Sequence, residues 1–258
     1  LKNVHGHGKS AWRLHTHFDV DRGVPTRIDV TSGKNSGKND EKNVLRARLE
    51  ADHCYVMDRW YAQFQLFNDI DASGSSYVCR VRDNSRYEVS AARPLSAEAI
   101  AAGVLSDEIV ELGAGSRESK CPDHPVRLIR VRTTPSRPRG QRPGGKTGPP
   151  SDGILRIATN LLDVPAEIIA EIYRQRWTIE LFFRFFKHVL GCRHLLSTAR
   201  AGIEIQTYCA IIACLLLALW TNGKPTLRTF EMICLYLQGW ADEEELLAHL
   251  KKLQPRVA

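Results

Sequence analysis

No Cys-x-x-Cys pair occurs anywhere in this chain of 258 residues, and its seven cysteines are odd in number. That argues against a disulfide framework and against a zinc knuckle. Several of the cysteines sit inside apolar runs, where a free thiol behaves as a small hydrophobe, so a reducing cytoplasm is the expected compartment. No secretory signal opens the chain. The start, Leu1-Lys2-Asn3-Val4, has no initiating Met, which leads us to expect a truncated beginning. Long hydrophobic runs are also missing. The most apolar stretch, Tyr208 to Trp220, is too short to span a bilayer and reads as a buried core helix. There is no internal repeat.

What the chain does have is positive charge. Lys and Arg exceed Asp and Glu to give a net charge of +7, with a pI near 9.1. A basic excess favours a polyanionic partner, because each Lys or Arg that meets a phosphate releases a condensed counterion. Hydrophobic content of 43% and charged content of 25% are ordinary for a globular protein.

Along the chain, Ala11 to Thr31 alternates in a strand-like way around Gly23-Val24-Pro25 and reads as a hairpin. Asp40 to Leu49 reads as a short helix. His53 to Met57 is a short buried strand that ends on Asp58-Arg59. Trp60, Phe64, Phe67 and Ile70 recur at helical spacing up to Gly74, and Ser76 to Val81 is a further strand. From about Asn84 to Pro150 the composition shifts to alternating charged patches and then to Pro, Gly, Arg, Ser, Thr and Lys. This predicts a β-rich insertion ending in a loop. Ile154 to Thr159 returns as a strand, and helical character dominates after Asp163-Val164-Pro165.

Ala166 to Leu190 contains no Gly or Pro and stops at Gly191, so a single long helix is predicted. With about 100° per residue, Ile172, Ile179, Phe183, Phe186 and Leu190 form its core stripe. Tyr173, Arg176, Glu180 and Lys187 form a second stripe along the border. Taken alone, this could be an ordinary amphipathic helix with an Arg176–Glu180 ion pair.

The gaps between those four residues carry more information. Tyr173, Arg176, Glu180 and Lys187 match the Tyr-Arg-Glu-Lys signature of bacterial insertion-sequence transposases of the DDE group, in insertion-sequence family four. A second block, Tyr55-Val56-Met57-Asp58-Arg59-Trp60-Tyr61, resembles the segment where the second catalytic aspartate of these enzymes ends a strand, with Trp60 standing where the usual form has Gly. Leu14 to Asp19, Gly23-Val24-Pro25 and Tyr77 to Asn84 extend the resemblance from about residue 9 to residue 250.

The resemblance implies a ribonuclease-H-like α/β core, its mixed sheet flanked by helices and interrupted by the β-rich insertion before the helix carrying Glu180. Residues 1–83 would form the first part of the core, 84–150 the insertion, and 151–258 the helical second part. It implies two Mg²⁺ ions, with Mn²⁺ able to substitute, held by Asp58 and Glu180. Tyr173, Arg176 and Lys187 would grip DNA. The partners implied are transposon terminal inverted repeats and target DNA, met by a homodimer. The first aspartate of the family lies upstream of the matched region, so we expect a two-acid fragment that binds DNA without efficient catalysis. Asp19 reads as a turn residue and is not promoted to that role.

Other signals are weaker. His5/His7 and His15/His17 are His-x-His pairs without further ligands nearby. Arg127, Arg130, Arg132, Arg137, Arg139 and Arg142 could contact DNA or belong to a solvated loop. Phe182, Phe183, Phe185 and Phe186 read as packing residues. The rival readings are a non-catalytic DNA-binding remnant and a hydrolytic nuclease of the same fold.

Overall fold

The computed structural model describes residues 12–33, 37, 40–114, 121–133, 152–188, 196–197, 199–221 and 227–253. These residues fall into two compact units. One is continuous, Arg46–Arg176; the other joins Leu1–Leu45 to Trp177–Ala258.

The continuous unit is built on a six-stranded mixed sheet. Its strands are β3 (Cys54–Met57), β4 (Ser76–Arg80), β5 (Tyr87–Ala92), β6 (Val104–Leu112), β7 (Val126–Arg132) and β8 (Ile154–Thr159), in the spatial order β3-β4-β8-β7-β6-β5. β3 and β4 run parallel and every other pair is antiparallel. Three of the six strands come from residues 84–150, and they continue the sheet begun by β3 and β4. The run 134–150 lies outside the described residues.

Strand alternation puts successive side chains of β4 on opposite faces. Tyr77 stacks on Phe67 of helix α2 (Phe64–Ala72), with ring centroids 4.3 Å apart and planes 5° from parallel. Val78 enters the opposite face, packed with Ile129, Val131 and Ile157 of the sheet and with Ile169, Ala170 and Tyr173 of helix α4 (Ala166–Gln175). Ala99 of helix α3 (Ala97–Ala101) joins the same cluster. The sheet is thus covered by α2 on one face and by α3 and α4 on the other.

One buried ion pair ties these layers together. Arg127 on β7 and Asp107 on β6 are 2% and 4% exposed, and they meet in a bidentate pair with N–O distances of 2.7 and 2.6 Å. The remaining guanidinium nitrogen donates to the carbonyls of Leu161, Leu162 and Val164, in the loop between β8 and α4. The sequence had offered Arg127 as a DNA contact or a loop residue. It is neither, because its charge is neutralised inside the sheet. Arg130, on the same strand, pairs with Glu108 at 2.8 Å and hydrogen-bonds Ser106.

Two boundaries differ from the sequence reading. Trp60 is outside α2, which begins at Phe64 after an extended Gln63. The Asp58 carboxylate takes the Trp60 N–H at 2.8 Å and the Asp58 carbonyl takes the Tyr61 N–H, which closes a turn where a helix was expected. The helix read from Ala166 to Leu190 is in two segments, α4 and α5 (Trp177–His188), that meet at Arg176. There the Arg176 N–H bonds back to the Tyr173 carbonyl, an i to i−3 bond of the tighter 3₁₀ type, although its backbone angles stay helical. The expected stop at Gly191 lies outside the described residues.

In the other unit, helix α1 (Glu41–Arg46) follows the antiparallel hairpin of β1 (Trp12–Asp19) and β2 (Val24–Ser32). Asp19 is the turn residue expected: its carbonyl accepts the N–H of Gly23, which has φ 70°, and its carboxylate accepts that of Arg22. Ile28 and Val30 pack against Ile203 and Ile211 of helix α6 (Arg200–Thr221). Phe182 and Phe186 of α5 pack with Ala210 and Phe18, as their reading as core residues required.

Helix α6 buries Ile203, Thr207, Ala210 and Ile211, one stripe at helical spacing. Tyr208, Ile212, Leu216, Leu219 and Trp220 are exposed, so the expectation of a wholly buried helix is corrected to a one-sided one. Helices α7 (Leu227–Leu237) and α8 (Glu243–Leu253) pack on each other. Among the described residues, no helix is long and apolar enough to cross a membrane.

Removing one partner of a buried ion pair leaves an uncompensated charge or orphaned acceptors, which costs about 3–5 kcal/mol. Arg127→Met is expected to lower the unfolding free energy by that amount, with urea denaturation as the measurement. A loss below about 1 kcal/mol, the worth of a surface pair, would show that the pair does not organise the sheet.

Candidate functional site

β3 and β4 are parallel neighbours, so their carboxyl ends open at the same end of the sheet, with Met57 opposite Cys79. In open α/β sheets that end is where ligands bind. Asp58 directly follows β3 and is half-buried. Its position is fixed three ways: by the strand before it, by the Trp60 and Tyr61 N–H groups that it holds, and by the Cys79 thiol, which donates to its carbonyl at 3.4 Å.

Tyr173 reaches the same region from α4. The sequence placed it on the border of the core, but it is buried and belongs to the cluster that includes Val78, while Ile172 is only partly buried. The core face of α4 therefore runs through Ala166, Ile169, Ala170 and Tyr173. Tyrosine can occupy a core position when its hydroxyl reaches a polar partner. Here Arg176 lies over the ring, its guanidinium carbon 5.8 Å from the centroid, within cation–π reach.

Burial raises the Tyr173 phenol above its ordinary range, with the charges of Arg176 and Arg80 pulling the other way. Burial also pushes the Cys79 thiol well up, reinforced by the negative charge of Asp58. Both groups are held protonated at neutral pH.

Asp58, Tyr173 and Arg176 thus lie in one unit, with Tyr173 packed with Val78 of β4 and under Arg176, and Asp58 joined to β4 through Cys79. The structure adds two residues that the sequence reading did not single out, Cys79 and Arg80. Both lie in the block Tyr77 to Asn84, and only strand pairing reveals that they face Asp58 and Tyr173. Glu180 is exposed in the first turn of α5, within the other unit. Lys187 is also on α5, and its side chain lies outside the described residues. Among the described residues, no group of three or more His, Cys, Asp or Glu is arranged to hold a metal ion. The pair His5/His7 is not described, and His15 is buried against the Thr31 hydroxyl at 2.7 Å.

An acid at the carboxyl ends of parallel strands, and a tyrosine–arginine pair on the helix packed against one of them, are groups that can meet a phosphate. Comparison with known proteins gives the family. Residues 2–216 match the family described as transposase DDE domain, and the chain belongs to that family. It is 28% identical over 231 residues to a protein of Sinorhizobium fredii described as a transposase, a match that covers 87% of this chain and 59% of that one. It is 26% identical over 227 residues to a transposase for insertion sequence element IS5377 of Geobacillus stearothermophilus, covering 86% and 53% of the two chains. A transposase for insertion sequence element IS4SA of Synechocystis is 37% identical over 102 residues, 37% of this chain and 30% of that one. The chain thus spans between half and three-fifths of the first two relatives.

Because Cys79 is fully buried and its thiol is raised, it is expected to resist iodoacetamide at about pH 8 in the folded protein, where an ordinary exposed thiol is substantially ionised. The exposed Cys121 and Cys209 serve as internal controls. Peptide mass spectrometry reads the outcome, and labelling of Cys79 as fast as Cys121 would show that the floor beneath Asp58 is open.

Proposed function

We propose that this chain is the catalytic core of an insertion-sequence transposase of the Tyr-Arg-Glu-Lys group, which cuts the ends of its element and joins them to target DNA. What supports this reading is Asp58 at the carboxyl end of β3, with Tyr173 and Arg176 at the end of the helix packed against β4, in a chain of the transposase DDE family. The six-stranded mixed sheet with helices on both faces is consistent with a ribonuclease-H-like core.

The donor chemistry fits divalent metal. Asp58 Oδ1 is used by the Trp60 N–H, whereas Oδ2 makes no hydrogen bond among the described residues. Glu180 supplies an exposed carboxylate. Carboxylate oxygens on regular elements are the ligands that hard ions such as Mg²⁺ prefer, with Mn²⁺ as a substitute. When bound, a pair of such ions activates the attacking oxygen and stabilises the leaving one.

The remaining roles belong to the chain's own side chains. Arg176 offers a planar fork to a phosphate and is oriented by the Tyr173 ring. Tyr173, protonated, donates its hydroxyl to a phosphate oxygen. Lys187 adds a point charge on α5. The proposed partners are terminal inverted repeats and target DNA, met by two copies of the protein in the bacterial cytoplasm.

The 258-residue chain is expected to bind duplex DNA, with affinity falling steeply as salt rises. Arg176→Ala should reduce the slope of log affinity against log salt by about 1. Asp58→Ala or Glu180→Ala should lower Mg²⁺-dependent cleavage of labelled end DNA by roughly 100-fold or more, as expected for several kcal/mol of lost charge stabilisation. Unchanged cleavage in Glu180→Ala refutes the site, and cleavage without joined product identifies a hydrolytic nuclease instead.

A further inference from the structure

We propose that helix α8 is a self-association face, through which two copies of the chain pair by an antiparallel, two-fold contact of α8 with α8. The inference deepens the two-copy reading by naming the surface, and it requires no DNA.

The face is defined by how α8 sits on α7. Leu246 and Leu250 are buried, and His249 hydrogen-bonds the Thr229 hydroxyl of α7 at 3.4 Å. At about 100° per residue, the opposite side of the helix carries Glu244, Leu247, Ala248 and Lys251. All four are exposed, and Leu247 puts an apolar side chain into solvent at 40% exposure. Trp240, one turn before Glu244, is 80% exposed and lengthens the apolar patch at that end.

Charge selects the occupant. Ion pairs along a helix form at spacings of three and four residues. At those spacings Glu244 has Trp240, Ala241, Leu247 and Ala248, and Lys251 has Leu247, Ala248, Gln254 and Pro255. Neither charge therefore has a counter-charge within reach along its own helix. Glu245, by contrast, is taken up in a capping box with Asp242, each side chain accepting the other's backbone N–H, at 3.1 and 2.8 Å.

The exposed stripe is complementary to itself. A two-fold axis sets residue i against j and j against i. With the axis between Leu247 and Ala248, Glu244 of each copy faces Lys251 of the other. Leu247 faces Ala248, whose small side chain admits close approach of the two helices. The two charges are about 10 Å apart along the helix in both copies, so both ion pairs close at once. The helix dipole accounts for an acid in the first turn and a base in the last. It does not account for their symmetric placement about Leu247 and Ala248, on the side turned away from α7. A contact built on 11 residues of helix is of the small, transient kind.

The test is sedimentation equilibrium of the 258-residue chain without DNA, over roughly 1 to 100 µM, the range suited to a small interface. Wild type should pass from monomer to dimer across that range. Glu244→Lys and Lys251→Glu each set like charges opposite one another, and each should weaken the dimer by about tenfold. Mixed in equal amounts, these two variants should form a mixed dimer at least as tight as that of wild type, because every facing pair is then of opposite sign. An effect through the helix dipole would leave the mixture as weak as the single variants.

A chain that stays monomeric throughout, single variants that pair like wild type, or a mixture no tighter than its components overturns the inference. If the chain is monomeric alone yet binds duplex DNA as a pair, the α8 contact falls and the transposase reading stands. If it dimerises as described but does not bind DNA, the contact stands and that reading falls.

Discussion

The fold turns on the buried pair of Arg127 and Asp107. A guanidinium can be taken out of water only if all its donors are met, and here Asp107 meets one side while three backbone carbonyls after β8 meet the other. The pair therefore does more than join β6 to β7. It fixes the path of the chain as it leaves the last strand, and that path sets where α4 begins. Tyr173 lies two turns into α4 and Arg176 just past its end, so their positions depend on that starting point.

This dependence explains what the sequence made legible and what it hid. Periodicity located the strands around Tyr55, Tyr77 and Ile157, the hairpin, and the start of α4, because apolar spacing and the Gly and Pro signals are local. Asp58 and the four motif residues were singled out by their resemblance to a family signature, not by periodicity. Arg127 was not: an arginine between apolar residues looks solvated until its partner is known, and Asp107 is twenty positions away. The break at Arg176 was equally hidden. No Gly or Pro marks it, and the change is only a shift of one backbone bond from i−4 to i−3. Trp60 misled for a related reason. Its spacing suited a helix, but a carboxylate two residues earlier took its N–H and closed a turn instead.

Tyr173 is packed in the core of the middle unit, and Arg176 lies over its ring. Cys79 is a small apolar floor beneath Asp58, and its raised thiol keeps a competing nucleophile or metal ligand silent next to the acid. The two residues that a spacing pattern could not reveal, Cys79 and Arg80, are thus the ones that shape the surroundings of the residues it did reveal.

The division of the chain has a consequence for how it is made. The hairpin β1–β2 leaves the ribosome before the middle unit, but its apolar face is completed by Ile203 and Ile211. At about 5–20 residues per second, those partners follow by roughly ten seconds or more. The middle unit, whose contacts lie within Arg46–Arg176, can close in that interval. Ile28 and Val30 meanwhile stay uncovered on a nascent chain. The hairpin is made before the middle unit yet is buried after it, and during that wait it is the segment most in need of a chaperone.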